Sequence, residues 1–376
     1  MPSREYAMLK IAIDASRTTI ARRTGTERYA LALLQAMLRL ETRDVAFTLY
    51  FRDPPSDHLL PESSAVRQQV IPFPRLWTHV RFAGALWQDR PDVVFVPAHA
   101  LPVWFPGPAV VTVHDLGYHY FPEAHPWLAR TYLEWSTPAS ARRATLIIAD
   151  SEATRRDLVR LYHVSENKIR VIYPGADPTL RRVDSAEVRA RLREKYGLPE
   201  RYLLFLGTLQ PRKNIGRLVA AYRRSGLWET EQIGLALGGA RGWLYNPAWT
   251  AGVPGVVETG YIADEDVAGL YSGALALVFP SLYEGFGFPV LEAMQCGLPV
   301  ITSNTSSLPE VAGNAALLVD PLSEDAIVEA MQALVRDEAL RERLVQAGYE
   351  QARQFTWERA AQQTLAVLRE AAQMRA

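Results

Sequence analysis

The chain has 376 residues, 48% hydrophobic and 22% charged, and its 41 Lys and Arg balance 41 Asp and Glu to a formal net charge of zero. That length exceeds what one hydrophobic core usually serves, so two domains are expected, and the balanced charge excludes a global field that recruits nucleic acid. A single cysteine, Cys296, excludes a disulfide framework and suits a reducing cytoplasm; no apolar run approaches a membrane span, and the opening MPSREYAMLK lacks the apolar core of a signal peptide.

Leu9 to Ile13 predicts a short strand closed by Asp14. ASRTTIARRTGTERY then leads into a helical pattern from Tyr29 to Leu40. A G-x-G-x-x-G fingerprint is absent there, since Gly25 stands alone, which argues against a dinucleotide oxidoreductase. Arg28 reads equally as an anion contact and as a solvated arginine. Further apolar runs at Phe47–Phe51, Val93–Val96, Val110–Val113 and Leu146–Ala149 are continuous rather than alternating, as in parallel strands buried on both faces. Ser151 is the expected N-cap of a helix from Glu152 to Tyr162.

The strand at Val110 runs into TVHDLGYHYFPEAHP. Ligands of open α/β sheets bind beyond the carboxyl ends of strands, which places His114 and Asp115 well. His114 reads as a donor to a ligand hydroxyl or as a structural histidine; His119 and His125 read as structural, and no zinc-ligand set converges on them. Trp77, Trp87, Trp104, Trp127 and Trp135 are expected mostly in packing, with aromatic platforms for a carbohydrate as the alternative. WLARTYLEWSTPASARR has an amphipathic, basic character compatible with weak docking to a membrane surface.

YPGADP (Tyr173 to Pro178) reads as a hinge, and the polar segment from Arg181 to Pro199 as a helix opening a second domain. Tyr202 to Leu206 is a strand leading into GTLQPRKNIGRLV. Arg212 and Lys213 therefore stand at a strand's carboxyl end just before a helix, where two cations either neutralise a diphosphate or form a solvated pair. Three more strand–helix units follow, with strands at Ile233–Gly239, Val256–Gly260 and Leu275–Phe279. Asp264, Glu265 and Asp266 mimic a D-x-D metal motif, but Asp264 is expected as the N-cap of a helix running to Gly273, and no catalytic metal is expected. Leu317 to Asp320 is the last strand, followed by helices from Ser323 to Gln354 and a terminal helix opened by Phe355-Thr356-Trp357.

The most informative stretch is LVFPSLYEGFGFPVLEAMQCGLPVIT, Leu277 to Thr302. A buried strand ends at Pro280, a loop holds Glu284, Gly285 and Gly287, and Pro289 opens a helix that stops near Gly297. Strand, glycine loop and helix form an anion-binding arrangement, because the first-turn N–H groups and the helix dipole favour negative charge. Glu284 and Glu292 bracket that end, where they match polyol hydroxyls on either side of a diphosphate, the description of a nucleotide sugar. The alternative makes Glu292 a dipole partner and Glu284 a solvated loop residue.

With GFGFPVL between them, Glu284 and Glu292 resemble the E-x7-E motif of family-4 retaining glycosyltransferases, and V-H-D-L and G-T-L-x-P-R-K-N resemble that family too. The resemblance covers nearly the whole chain and is strongest from Leu203 to Asp320. It implies an α/β, GT-B fold: two Rossmann-like domains with parallel sheets facing across a cleft, over 1–174 and 175–355, with a helix at 356–376 crossing back. It also implies that Glu284 and the amides of Phe286, Gly287 and Phe288, beside Gly285, hold the donor sugar, that Glu292 holds the ribose, and that Arg212 and Lys213 take the diphosphate. Gly25 and Thr26 fall near that diphosphate, His114 and Asp115 near the sugars, and Tyr261 and Ile262 at the base. Thr208 departs from the Gly-Arg many members carry after the strand, so one cation is missing.

The expectation is thus a metal-independent retaining hexosyltransferase without a cofactor, working in the cytoplasm or at the inner face of the membrane. The donor expected first is GDP-mannose, then UDP-glucose or another UDP-hexose, and the acceptor is a carbohydrate or lipid-linked hydroxyl. The rivals are a nucleotide-sugar 2-epimerase or hydrolase of the same fold, and a non-catalytic nucleotide-sugar-binding protein.

Overall fold

The computed structural model describes residues 8–20, 25–61, 65–98, 100–105, 107–124 and 126–374; His125 lies outside them, as do the first seven residues and 21–24 of the loop after the first strand. The chain forms two compact units. The first runs to Leu116, resumes over Trp127–Gly175 and is completed from Thr356; the second holds Gly117–Pro126 and Ala176–Phe355.

The first unit is built on seven parallel strands: β1 (Leu9–Asp14), β2 (Val45–Phe51), β3 (Val66–Val70), β4 (Val93–Val96), β5 (Ala109–Val113), β6 (Leu146–Ala149) and β7 (Ile169–Val171), in the order β3-β2-β1-β4-β5-β6-β7. The second has six: β8 (Arg201–Leu206), β9 (Ile233–Gly238), β10 (Val256–Gly260), β11 (Ala276–Phe279), β12 (Val300–Ser303) and β13 (Ala316–Val319), in the order β10-β9-β8-β11-β12-β13. Every pairing is parallel. Central strands such as VVFV and ALVF are buried along their whole length, which their continuous apolar runs require once helices cover both faces.

In each sheet the strand order reverses once, between β1 and β4 in the first and between β8 and β11 in the second. Loops leaving neighbouring strands there diverge to opposite faces and open a crevice at the carboxyl edge. In the second sheet those are the loops carrying Arg212, Lys213 and Glu284.

The helix Trp357–Gln373 is capped by Thr356, whose hydroxyl accepts from the Arg359 amide. It returns to the first unit, where Ala361, Leu365 and Leu368 join Tyr29, Leu33 and Met37 in one core. Gly175 runs so close to its start that a Cβ would lie 2.2 Å from the Trp357 amide nitrogen.

Some sequence expectations change. β3, VRQQV, has no apolar run to betray it, because it is an edge strand with much of its length exposed. Only Ala186–Tyr196 of the polar segment 181–199 is helical. Asp264 is not an N-cap: Ala263 holds the extended cap conformation and Asp264 sits in the first turn. Asp266 of the same triplet is buried and accepts from Lys195 Nζ at 2.5 Å and from the Tyr196 hydroxyl at 2.7 Å, so it serves packing between helices. The helix Trp127–Arg143 is not amphipathic in the ordinary sense: it buries Ser136, Ser140 and Ala141 and leaves Trp127, Leu128, Tyr132 and Trp135 exposed.

Candidate functional site

Two groups of polar side chains stand at the carboxyl ends of the strands, one in each unit. In the second unit β8 ends in a loop that closes as a tight turn, Pro211–Lys213, before the helix Ile215–Ser225. Asn214 joins turn to helix in the left-handed conformation (φ 62°), and its side-chain amide donates to the Pro280 and Pro321 carbonyls. Those bonds fasten the β8 loop to the loops after β11 and β13.

Lys213 Nζ lies 2.5 Å from Oε1 of Glu284, and Arg212 Nη1 lies 3.2 Å from Oε2. Arg212 also donates to the Tyr283 carbonyl, and the Ser281 hydroxyl donates to Oε1 at 2.5 Å. Ser306 Oγ accepts from the Glu284 amide at 2.8 Å and donates to its carbonyl at 2.6 Å, while Ser307 Oγ bonds the Glu284 and Phe286 carbonyls. The carboxylate is 9% exposed and the Lys213 side chain 10%. Burial pushes the Glu284 pKa up, but Lys213 and Arg212 outweigh it and hold the carboxyl below its ordinary range. Oε2 carries one of these partners, which leaves it room to accept from a hydroxyl.

The same loop turns into the helix Phe288–Gln295 through Gly287, at φ 115° and ψ 48°, a backbone conformation glycine adopts at little cost. No side chain caps this helix. Among the described residues nothing accepts from the amides of Gly287 and Phe288, so two N–H groups remain for an anion. Pro289 follows, where its missing N–H is no loss. Glu292, one turn further, accepts from the Tyr271 hydroxyl at 2.9 Å. Tyr261 is 70% exposed just after β10, whereas Ile262 beside it is buried.

In the first unit His114 follows β5. Its Nε2 lies 2.9 Å from the Pro97 carbonyl oxygen, an acceptor only, so that nitrogen carries a hydrogen. Its Nδ1 lies 2.5 Å from Oδ2 of Asp150, at the end of the β6 run. Burial disfavours the imidazolium, but Asp150, with help from Pro97 and Asp115, raises the His114 pKa above its ordinary value. Burial likewise pushes Asp150 up, and His114 opposes it without overcoming it. Oδ1 of Asp150 is buried without a partner, and the Tyr29 ring stands edge-on to the imidazole at 4.7 Å. Both nitrogens of His114 are therefore engaged within this unit. Asp115 is half-buried beside it; Gly25 opens the helix Gly25–Arg39, exposed, with Thr26 half-buried.

Sequence reasoning placed Arg212, Lys213 and Glu284 near one another in role, and the structure brings them into contact. It missed Ser281, Ser306 and Asp150. Ser281, like Glu284, belonged to the motif already quoted, but Asp150 ends an apolar strand with nothing local to mark it.

Residues 23–180 match the family model described as Glycosyltransferase Family 4, and residues 188–351 that described as Glycosyl transferases group 1. The chain is 38% identical over 263 residues to the O-antigen chain mannosyltransferase B of Escherichia coli, covering 68% of this chain and 69% of that one. It is 32% identical over 231 residues to the serotype-specific mannosyltransferase WbdA of Escherichia coli, covering 58% of this chain and 28% of that protein. Among solved structures it resembles a sucrose-phosphate synthase of Thermosynechococcus elongatus (TM-score 0.72, 24% identity, 96% and 98% coverage). It also resembles the Anabaena protein HepE in complex with UDP and glucose (TM-score 0.71, 18% identity, 96% and 100% coverage). At such identities the structural likeness speaks for the GT-B fold.

Two outcomes follow from the electrostatics. A raised imidazole pKa means that His114 contributes stability that is fully present below pH 6.5 and is lost as pH rises through the raised value. In an NMR titration of the full chain His114 should titrate above 6.5, and Asp150→Asn should bring it below 6.5, since burial, the largest influence, then prevails; a variant still titrating above 6.5 contradicts the pairing. A lowered carboxyl pKa has the opposite sign: Glu284 contributes above 4.5, and the contribution is lost as pH falls through the depressed value. Glu284→Gln should cost about 3 kcal/mol in urea unfolding at neutral pH, with the gap closing below pH 4.5; a gap that ignores pH would show packing rather than charge.

Proposed function

The chain belongs to the family-4, group 1 glycosyltransferases, and from that membership we propose that it moves a mannosyl residue from GDP-mannose to a hydroxyl of a growing polysaccharide or lipid-linked glycan, with retention of configuration and without a metal. The observation that carries the reading is the meeting of Arg212 and Lys213 on Glu284 beside an uncapped helix start, at the reversal point of the second sheet. The identity of the sugar rests on the mannosyltransferase relatives.

In this reading Lys213, Arg212 and the Gly287 and Phe288 amides receive the diphosphate and stabilise the charge that builds on it as the glycosidic bond breaks. Glu284 does two things. It keeps both cations charged and placed before the donor arrives, and through Oε2 it accepts from a donor-sugar hydroxyl. Glu292, steadied by Tyr271, accepts from the ribose. His114, whose charged form Asp150 favours, is held in place in the first unit rather than acting as a base, because both of its nitrogens are engaged by Asp150 and Pro97. No side chain here is an evident covalent nucleophile, so attack by the acceptor on the same face of the sugar is the proposed route.

A panel of GDP-mannose, UDP-glucose and their free diphosphates in thermal-shift measurements tests the donor, since a ligand of the native state raises its melting temperature. GDP-mannose should give the larger shift; a larger shift with UDP-glucose would favour the UDP-hexose reading. Lys213→Ala should weaken the preferred donor by about tenfold or more, and the anomeric coupling of the product should show retention. An inverted product overturns the mechanism, and donor consumed at full rate without acceptor overturns the transferase reading.

Exposed Trp127, Leu128, Tyr132 and Trp135 on one helix, with Arg142 and Arg143 at its end, support peripheral contact with a membrane carrying the lipid-linked acceptor. Among the described residues no helix is long and apolar enough to cross a membrane. Sedimentation with anionic vesicles should retain the protein, and Trp127→Ser with Trp135→Ser should release it; retention by the double variant places the contact elsewhere.

A further inference from the structure

Between β5 and the helix Trp127–Arg143 the chain leaves the first unit, and Gly117–Pro126 packs as part of the second. The root of this segment is fixed. His114, shortly before it, is held through both ring nitrogens by Asp150 and Pro97, and its carbonyl accepts from the Thr154 hydroxyl at 3.1 Å. Leu116 is fully buried and Tyr118 is 3% exposed. Gly117–Tyr120 closes one helical turn, in which the Phe121 amide donates to the Gly117 carbonyl at 2.9 Å. Tyr120 is thereby presented on an ordered turn rather than on a loose loop.

The Tyr120 ring lies against that of Tyr283, with centroids 4.8 Å apart and planes inclined by 31°. Aromatic pairs attract at centroid separations of roughly 4.5–7 Å. Tyr283 is 6% exposed and Tyr120 37%, so Tyr120 is the outer of the two rings.

The backbone of Tyr283 gives this contact its consequence. Its carbonyl accepts from Arg212 Nη1 at 2.5 Å and from the Ser281 hydroxyl at 3.3 Å. The same Nη1 reaches Oε2 of the next residue, Glu284, at 3.2 Å. On the other side the Leu282 amide donates to the Arg212 carbonyl at 2.9 Å. Arg212 is therefore fastened by its main chain to the residue before Tyr283 and by its guanidinium to Tyr283 and the residue after it. A turn of the Tyr283 peptide would carry away a guanidinium acceptor. Side chains locked by packing hold the groups they carry to the tolerance that a binding site needs.

We infer that Tyr120 is a positioning residue for diphosphate binding: it acts through the Tyr283 ring to hold the Arg212 guanidinium and the Glu284 carboxylate in place. That a diphosphate is what they meet rests on the donor reading; the hold on Arg212 rests on the contacts alone.

Calorimetry with GDP and with UDP on the full chain, together with NMR relaxation of the Arg212 side chain, tests it. Tyr120→Ala should weaken the tighter-binding nucleotide about fivefold, the size of one aromatic pair, and Tyr120→Phe, which keeps the ring, should restore it. In a Tyr283→Ala background Tyr120→Ala should add nothing, because the ring it acts through is gone. The Arg212 guanidinium should be rigid in the wild-type and Tyr120→Phe chains and loosened in Tyr120→Ala, without nucleotide present. The relaxation measurement needs only variants of Tyr120, whose ring is partly exposed, and so decides the matter should Tyr283→Ala misfold. Unchanged affinity in Tyr120→Ala, an affinity loss that persists in the Tyr283→Ala background, or unaltered Arg212 mobility would each overturn the inference. Should neither nucleotide bind the wild-type chain while Arg212 is loosened in Tyr120→Ala and held in Tyr120→Phe, the donor reading falls and the positioning role stands.

Discussion

A carboxylate closed off from water between two cations is the constraint on which the second unit depends. Desolvating a charge is costly, and the pairing of Glu284 with Lys213 and Arg212 offsets that cost only because its geometry is tight and Ser281 supplies a further hydrogen bond. The Lys213 ammonium also sits over the Phe279 ring at 4.8 Å, and its side chain is only 10% exposed. Remove the carboxylate and this buried cation loses the counter-charge at 2.5 Å. The pair also connects segments about seventy residues apart, the loops after β8 and β11, which only parallel pairing of those two strands makes neighbours.

That adjacency is a property of sheet order. Reversal of the strand sequence opens the crevice, and the residues filling it are whichever polar groups end the two central strands. The first unit follows the same rule: Asp14 ends β1, Pro97 follows β4, and His114 and Asp150 follow and end the next runs outward. In the first unit the buried strands β5 and β6 are succeeded at once by His114 and Asp150, whereas in the second the polar groups come several residues on, in the loops that begin at Gly207 and Pro280. The chain thus keeps its core dry and gathers its polar chemistry along one edge of each sheet.

This regularity explains what could be read from the sequence and what could not. Strands such as Val93–Val96 and Leu146–Ala149 were legible to the residue, because burial on both faces demands an unbroken apolar run. The Ser151 cap was legible because capping is local, and its hydroxyl does accept from the Thr154 amide. VRQQV was illegible because an edge strand is held by backbone pairing to β2, to which its polar side chains contribute no pattern. Asp264 misled because an acidic residue before a helix is as often in the first turn as at the cap. For the site, the residue types of Arg212, Lys213, Glu284 and Glu292 were visible in the spacing, but their partners were not. Asp150 meets His114 across 36 residues and Ser306 meets Glu284 across 22, and no sequence window of helical or strand period spans such distances.

The two units differ in the balance of charge that each sets beside its strands. Arg212 and Lys213 with Glu284 leave one net positive charge, to which the unshared amides at Gly287 and Phe288 add further attraction for an anion. The cavity beside Asp14 sets two partly exposed guanidinium groups against a carboxyl inside it and the carboxylates of Glu27 and Asp53 at its margin, so its charges nearly cancel. A site with surplus charge discriminates by charge and accepts many shapes. On this chain, then, the surplus positive charge at the second unit's crevice and the balanced charge beside Asp14 give the two units different physics.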